Sequence, residues 1–166
     1  MDTDRRHAFT IRPATTADIP TLARHRCAMF RDMGDLAAAD WDALAAATAR
    51  YCAAALPAGD YVAWLVTPTA EPAQIVAGGG LQMRPILPRH ATHGGLQRPG
   101  PQGLIVNVYT EPAWRRNGLA ELVVETIIAW SRANELAGLV LHAAPLGRGL
   151  YERLGFVATN EMRYPL

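Results

Sequence analysis

Lysine is absent from this chain of 166 residues, because all 16 of its cationic side chains are arginine. A mechanism that requires a lysine Schiff base or a lysine general base is therefore excluded. The formal net charge is only +1, so the chain lacks the broad positive potential that attracts proteins to nucleic acids or anionic membranes. We expect neither kind of partner. Arginine without lysine, together with alanine-rich segments, is typical of a GC-rich bacterial genome.

Cysteine is scarce, and long apolar runs are missing. Cys27 and Cys52 are the two cysteines, and each lies in a segment that reads as helix. This pattern argues against a disulfide framework and makes a poor metal site. No segment approaches the roughly 20 apolar residues that cross a bilayer, and residues 1–6 are polar, unlike a signal peptide. These features predict a cytoplasmic protein.

The residues that are present suit one folded domain. Half of them are hydrophobic and 19% are charged, which is typical of a globular protein. A length of 166 residues provides one core and leaves no room for a second catalytic module. We therefore assign residues 1–166 to a single domain.

Periodicity along the chain predicts strands that alternate with helices. The predicted strands cover residues 9–13, 61–66, 74–83, 104–110, 139–143, 156–157 and 161–164. The predicted helices cover residues 18–33 and 40–56, a long helix that starts within residues 116–120, and residues 146–154. Asp18 is expected to cap the first helix and Gly34 to end it. The three glycines at 78–80 predict a bulge or a close backbone approach, and residues 84–102 read as a long loop.

The most informative segment follows the apolar strand that ends at Thr110. A turn containing Arg115 and Arg116 leads to Gly118 and Ala120, where the long helix begins. A helix N-terminus presents unpaired N–H groups and the positive end of the helix dipole. The small residues leave room for a phosphate beside that backbone, and the arginines add charge. The segment therefore predicts an anion-binding site.

This segment reads Val-x-x-x-Pro-x-x-Arg-x-x-Gly-x-Ala and resembles the acyl-CoA pyrophosphate loop of the GNAT N-acyltransferase superfamily. Arg115, Gly118 and Ala120 occupy the defining positions of that loop. A second match, Leu-Tyr-Glu-Arg-Leu-Gly-Phe at 150–156, resembles the fourth helix of the superfamily. The opening Ile-Arg-Pro-Ala-Thr-Thr-Ala-Asp at 11–18 is also similar to the usual start of its members. The resemblance covers nearly the whole chain.

The resemblance implies an α/β (α+β) fold, with a mixed, mostly antiparallel sheet flanked by helices on both faces and splayed between its fourth and fifth strands. It also implies transfer of an acetyl group from acetyl-CoA to a primary amine of a small molecule or peptide. The amine would attack the thioester directly in a ternary complex, without a metal. Tyr151 would protonate the departing thiolate, and the N–H of Val108 would act as oxyanion donor. The residues implied to bind the CoA moiety are Val108, Tyr109, Thr110, Arg115, Arg116, Asn117, Gly118, Leu119 and Ala120.

Two features of the chain leave the implied site incomplete. Many family members have asparagine or serine seven residues before the catalytic tyrosine, and this chain has Ala144, so a polar contact to the CoA arm is missing. The general base is not identified. Glu111 lies at the wrong end of its strand, and His142 is better explained as a core histidine than as a base. Asn107 and Tyr109 would either position a water molecule or pack.

Several alternatives remain open at this stage. The chain could be a non-catalytic acyl-CoA sensor, or it could acetylate a partner protein. No Gly-x-Gly-x-x-Gly motif follows an early strand, which argues against a dinucleotide-binding dehydrogenase. His90-x-x-His93 lacks a third metal ligand, so a solvated loop, or one that closes over the acceptor, is the better interpretation. The end of the first helix, with Met29, Phe30 and Met33, would border the acceptor pocket or pack in the core. Dimers are frequent in the superfamily.

Overall fold

The computed structural model describes residues 8–87, 90, 100–162 and 164, and the structural statements that follow concern these residues. The elements, in chain order, are β1 (Phe9–Pro13), α1 (Ile19–Met33), α2 (Trp41–Ala58), β2 (Tyr61–Pro68), β3 (Ala77–Arg84), β4 (Gln102–Thr110), α3 (Leu119–Ala133), β5 (Gly138–Leu141) and α4 (Arg148–Arg153). The five strands form one sheet in the order β1-β2-β3-β4-β5. Neighbouring strands are antiparallel except β4 and β5, which are parallel. The predicted mixed, mostly antiparallel sheet is confirmed.

The sheet is covered by helices on both faces because β2 is apolar on both of its faces. Leu65 packs with Leu22 of α1 and Cys52 of α2 in one core. Val66, on the opposite face, packs with Val123 of α3 in the other core. Full burial of a Val or Leu side chain contributes about 1.5–3 kcal/mol, so both layers stabilise the sheet. None of the helices in the described ranges has the length and apolar character of a membrane span.

The ends of α1 only partly follow the sequence prediction. Gly34 ends the helix in the left-handed conformation, with φ at 81°, as predicted. Asp18 precedes the helix, but its side chain makes no capping hydrogen bond to it. Its carboxylate instead accepts hydrogen bonds from the Thr15 backbone N–H and the Arg12 guanidinium, each at 2.8 Å. A short 3-10 turn lies between Thr15 and the helix, which explains the change of partner. Hydrogen bonding to Arg12 holds the pKa of Asp18 well below its usual range.

Both features that the glycines of β3 predicted, a bulge and a close backbone approach, are present. The register between β3 and β4 shifts between Gly78 and Gly80, so the bulge is confirmed. The extra residue lies on β4, because Gly78 pairs with Tyr109 and Gly80 pairs with Val106. A Cβ atom added to Gly79 would lie 2.6 Å from a methyl group of Val123. Glycine is therefore required there for the close approach of α3 to the sheet.

The C-terminal part differs from the prediction. The expected strands at 156–157 and 161–164 do not form in the described residues, which contain no strand after β5. Val157 and Met162 are 81% and 93% exposed, so no buried face is available to stabilise a hairpin at these positions. The last helix spans Arg148–Arg153, shorter than predicted, since Leu146 is fully exposed.

Candidate active site

A cleft of about 1610 Å³ opens where β4 and β5 part. The last residue pair between these strands is Ile105 with Leu141, and β4 continues beside β3 to Thr110 without a partner on the β5 side. The walls of the cleft come from the C-terminal half of β4, the turn that leads into α3, the helix α4, and the facing sides of α1 and α2. The splay that the resemblance implied is therefore present, and it leaves one side of β4 open to a ligand.

The bulge in β4 forms part of the wall of this cleft. Asn107 has a φ of 57°, a left-handed conformation that asparagine tolerates better than most residues. The register pairs neither Asn107 nor Val108 with a residue of β3 or β5. Both residues line the cleft. The sequence identified Val108 as a candidate but gave no signal of the positive φ beside it.

The turn before α3 presents the N-terminus of that helix to the cleft. Gly118 is its N-cap residue with φ at 76°, and Arg116 is also left-handed, with φ at 66°. The Asn117 side chain donates to the backbone oxygens of Trp114, at 3.0 Å, and Arg115, at 3.3 Å, which stabilises the turn. Leu119 is 1% exposed and anchors the start of the helix in the core. The first-turn N–H groups of an α-helix have no partners within the helix, so this end of α3 provides anion-binding donors.

Arg115 lines the cleft beside this turn and is held by several contacts. Its guanidinium forms an ion pair with Asp32 of α1 and donates from Nε to the backbone oxygen of Thr110 at 3.1 Å. The same guanidinium lies 5.9 Å from the centre of the Tyr109 ring. Hydrogen bonding to Asp32 raises the pKa of Arg115, so the cation is permanent. Asp32 was not identified from the sequence.

Tyr151 projects from α4 into the same cleft. Its ring packs edge-on against Phe156, with 5.9 Å between the ring centres. The backbone N–H of Phe156 donates to the backbone carbonyl oxygen of Tyr151 at 3.0 Å, which closes the turn after α4. Burial raises the pKa of the Tyr151 phenol above its ordinary value. The hydroxyl is therefore protonated at neutral pH and can act as a proton donor.

A chain of hydrogen bonds that the sequence did not reveal joins three residues of the cleft wall, Arg26, Asn107 and Tyr61. Arg26 of α1 donates to the Asn107 side-chain oxygen at 2.7 Å. The Asn107 amide donates in turn to the Tyr61 hydroxyl at 3.3 Å. Burial raises the pKa of Tyr61 to about 12, so this phenol stays neutral. These residues are 81 and 46 positions apart in sequence, and no local pattern links them.

Of the other candidates for a general base, His142 and Tyr109 line the cleft, whereas Glu111 does not. Glu111 lies outside the cleft and pairs with Arg24 at 2.6 Å. The interpretation of His142 as a core histidine is wrong, because its side chain is 41% exposed and lies 3.4 Å from Glu161. It ends up exposed because β5 stops at Leu141, one residue earlier. The Tyr109 hydroxyl is 3.4 Å from a Glu111 carboxylate oxygen.

The described residues contain no cluster of three or more His, Cys, Asp or Glu side chains that could hold a metal ion. His90 is described, whereas His93 and most of the predicted loop at 84–102 lie outside the described residues.

The structure brings every residue that the resemblance implied for catalysis or CoA binding to the walls of one cleft. These residues are Val108, Tyr109, Thr110, Arg115, Arg116, Asn117, Gly118, Leu119, Ala120 and Tyr151. Met29, Phe30 and Met33 of α1 also line it, as does Ala144. Met33 is 46% exposed, which favours a pocket position over a core position for this residue.

Known proteins share the fold of this chain, and a family model matches its sequence. The chain resembles a GCN5-related N-acetyltransferase from Ralstonia eutropha JMP134 with 29% identity and a TM-score of 0.79, over 95% of this chain and 98% of that one. A predicted acetyltransferase from Clostridium acetobutylicum, solved with acetyl-CoA, matches at 25% identity with a TM-score of 0.80, over 95% and 96% of the two chains.

Glucosamine-6-phosphate N-acetyltransferase from Arabidopsis thaliana shares the fold at 15% identity and a TM-score of 0.62, over 95% of this chain and 97% of that one. A comparison with curated proteins finds no match. The model of the acetyltransferase (GNAT) family matches residues 28–156. This match spans most of the sequence, and the chain therefore belongs to the GNAT acetyltransferase family.

Proposed function

We propose that this protein transfers an acetyl group from acetyl-CoA to a primary amine of a small molecule or peptide. One observation carries the proposal: a single cleft holds the β4 bulge, the N-terminus of α3 and the Tyr151 hydroxyl. These three features supply a place for an acyl group, a place for a diphosphate and a proton donor. Membership of the GNAT family and the relative solved with acetyl-CoA support the choice of donor.

The N-terminal turn of α3 is the part of the cleft that suits the diphosphate of acetyl-CoA. The backbone N–H groups from Arg116 to Ala120 would hold it, with the helix dipole adding a favourable field. Gly118 and Ala120 place little side-chain bulk there, and the Arg115 and Arg116 guanidinium groups can bind phosphate oxygens. The open side of β4, from Asn107 to Thr110, would pair with the pantetheine arm. Acetyl-CoA supplies the activated acyl group as a thioester.

The bulge is the element we assign to charge stabilisation at the reacting carbonyl. In our proposal the N–H of Val108 donates to the carbonyl oxygen, which gains negative charge in the transition state. A fixed donor of this kind is commonly worth 10²–10³ in rate. Asn107 holds the bulge in place through its bonds to Arg26 and Tyr61.

Tyr151 is assigned to the leaving group. The amine nitrogen attacks the thioester carbon, so a C–N bond forms and the C–S bond breaks. Tyr151 donates its proton to the departing sulfur and regains one from solvent, while the attacking nitrogen loses its proton to water in the open cleft. No covalent bond to the protein is formed. General acid catalysis of this type typically contributes 10²–10⁴-fold.

Two measurements on the purified protein test this function. A ligand that binds only the folded state stabilises it by about 2.7 kcal/mol at a hundredfold excess over its dissociation constant. We therefore expect acetyl-CoA to raise the melting temperature and NADH, the control nucleotide, to leave it unchanged. A panel of amines should then give release of free CoA thiol together with an acetylated product by mass spectrometry. No shift at millimolar acetyl-CoA would contradict the proposal.

A further inference from the structure

Arg26 differs from the arginines of the described chain that form ion pairs. Those arginines meet carboxylates: Arg12 pairs with Asp18, Arg24 with Glu111, Arg115 with Asp32, and Arg148 with Glu152. Arg26 is half-buried in the cleft and makes one side-chain hydrogen bond, to the neutral amide of Asn107. Its guanidinium also lies over the Phe30 ring, 4.9 Å from the centre. No carboxylate of the described residues pairs with it.

The groups around Arg26 leave its charge uncompensated. Asn107 is neutral and already uses its oxygen and its amide for Arg26 and Tyr61. Tyr61 stays a neutral phenol because burial disfavours its anion. Asp32, a carboxylate on the same wall, is neutralised by Arg115. A guanidinium carries five N–H donors, so most of those of Arg26 remain available in a cleft that excludes part of the solvent.

We propose that Arg26 binds a carboxylate of the acceptor, and that the acceptor is an α-amino acid with an apolar side chain. This inference rests on the proposed function and names its substrate class. Guanidinium and carboxylate form short, charge-assisted and often bidentate hydrogen bonds.

The position of Arg26 supports an α-amine in particular. Asn107, which accepts from Arg26, directly precedes Val108, the donor assigned to the thioester oxygen. A carboxylate held by Arg26 therefore lies near the reacting carbonyl. An amine that is one carbon from this carboxylate is held close to that carbonyl, whereas an amine at the end of a long chain is not positioned by the same anchor.

The remaining wall of the acceptor side favours an apolar side chain. The half-buried Met29 and Phe30 of α1 contribute to it together with Leu44 and Ala47 of α2. Its polar members include Thr48, Tyr51 and Gln82. Asp35 also lines the cleft but is exposed at its rim. Apolar lining with a few placed polar groups is the usual composition of a small-molecule pocket.

The test compares three compounds that differ only in the group which Arg26 would bind. Leucine, leucinamide and isopentylamine form one such set, and phenylalanine, phenylalaninamide and phenethylamine form another. Acetyl transfer to each is measured as kcat/KM. Hydrogen bonds to a charged group are worth about 1.5–3 kcal/mol, so the acids should exceed the amides by about 10- to 100-fold. The amide's amine is the less basic of the two, so greater availability of the free amine would produce the opposite preference.

Three variants assign this preference to Arg26. In Arg26→Gln the ratio of acid to amide should fall towards one, whereas Arg26→Lys should restore part of it. Arg50→Gln, which removes an exposed arginine of α2 outside the cleft, is the matched control and should keep the wild-type ratio. A purely structural role of Arg26 would lower both rates and leave the ratio unchanged. Melting temperature and acetyl-CoA affinity are measured for each variant.

Each possible result either supports or overturns the inference. Equal or better use of the amides by the wild type would overturn the inference and leave amine acetylation intact. A preference for acids that persists in Arg26→Gln would overturn the assignment to Arg26. If no amine is acetylated, binding of leucine in the presence of CoA is measured by calorimetry. Binding that is lost in Arg26→Gln supports carboxylate recognition while the proposed function fails, and absence of binding overturns the inference.

Discussion

The close contact between Gly79 and helix α3 predicts a compensating pair of substitutions. A Cβ atom at Gly79 would lie 2.6 Å from Val123 Cγ1 and 3.3 Å from Val108 Cγ2. Ordinary contact begins at 3.4 Å, so Val123 or the helix must retreat by about 0.8 Å. Overpacking of this kind typically costs about 1–3 kcal/mol. We expect Gly79→Ala to lower the free energy of unfolding by that amount.

Val123→Ala supplies the compensation because it removes the clashing methyl group. Alone it loses two buried methyl groups, at about 0.8 kcal/mol each, plus the cost of the cavity. In the double variant the new Cβ partly fills that cavity. The double variant should therefore be more stable than the sum of the single effects by about 1–2 kcal/mol, within the range for residues in contact.

Chemical denaturation of the wild type, the two single variants and the double variant measures the coupling energy between positions 79 and 123. Thermal melting is a second readout, in which 1 kcal/mol corresponds to about 2–4 °C for a domain of this size. Gly79→Ala should also slow acetyl transfer, because the new Cβ presses on Val108 at the bulge. Strictly additive losses, or a Gly79→Ala protein as stable as the wild type, would refute the packing argument.

Two further predictions concern charged groups. Asp32→Asn frees Arg115 from its ion pair and removes a negative charge beside the expected phosphate site, so acetyl-CoA should bind several-fold more tightly in calorimetry; weaker binding would contradict this. Burial lowers the pKa of His25 to about 4 from 6.5, so the unfolded chain takes up a proton first as the pH falls. The stability tied to His25 is thus complete above pH 6.5 and lost towards pH 4, by about 2–3 kcal/mol. In His25→Gln the free energy of unfolding should depend less steeply on pH between 6.5 and 4. An unchanged slope would refute the assignment of this acid destabilisation to His25.

Local features of the fold could be predicted from the sequence where one short segment determines them. Gly34 ends α1 because the left-handed conformation favours glycine, and this choice needs no distant partner. Gly118 was predicted only as a small residue beside the phosphate site, and its left-handed φ of 76° became known from the structure. The predicted capping of α1 by Asp18 was wrong because it depends on a residue outside that segment. Arg12, on the preceding strand, competes with the helix for the Asp18 carboxylate.

The acceptor side of the cleft could not be predicted because its residues meet only in the folded chain. Arg26, Asn107 and Tyr61 come from a helix and two strands, and their sequence separations carry no pattern. The same limitation applies to Asp32, which meets Arg115 across 83 positions. The exposure of His142 depends on where β5 ends, and element boundaries are poorly determined by periodicity alone.

The most direct test of the account is the rate of acetyl transfer in Tyr151→Phe, because this change removes one hydroxyl and keeps the ring that packs on Phe156. Tyr164→Phe, which alters an exposed tyrosine, is the control. We predict that kcat falls about 10²- to 10⁴-fold in Tyr151→Phe, with little change in acetyl-CoA affinity, and that the control keeps the wild-type rate. An unchanged kcat in Tyr151→Phe would contradict the assignment of Tyr151. Absence of acetyl transfer by the wild-type protein, despite bound acetyl-CoA, would instead indicate a sensor.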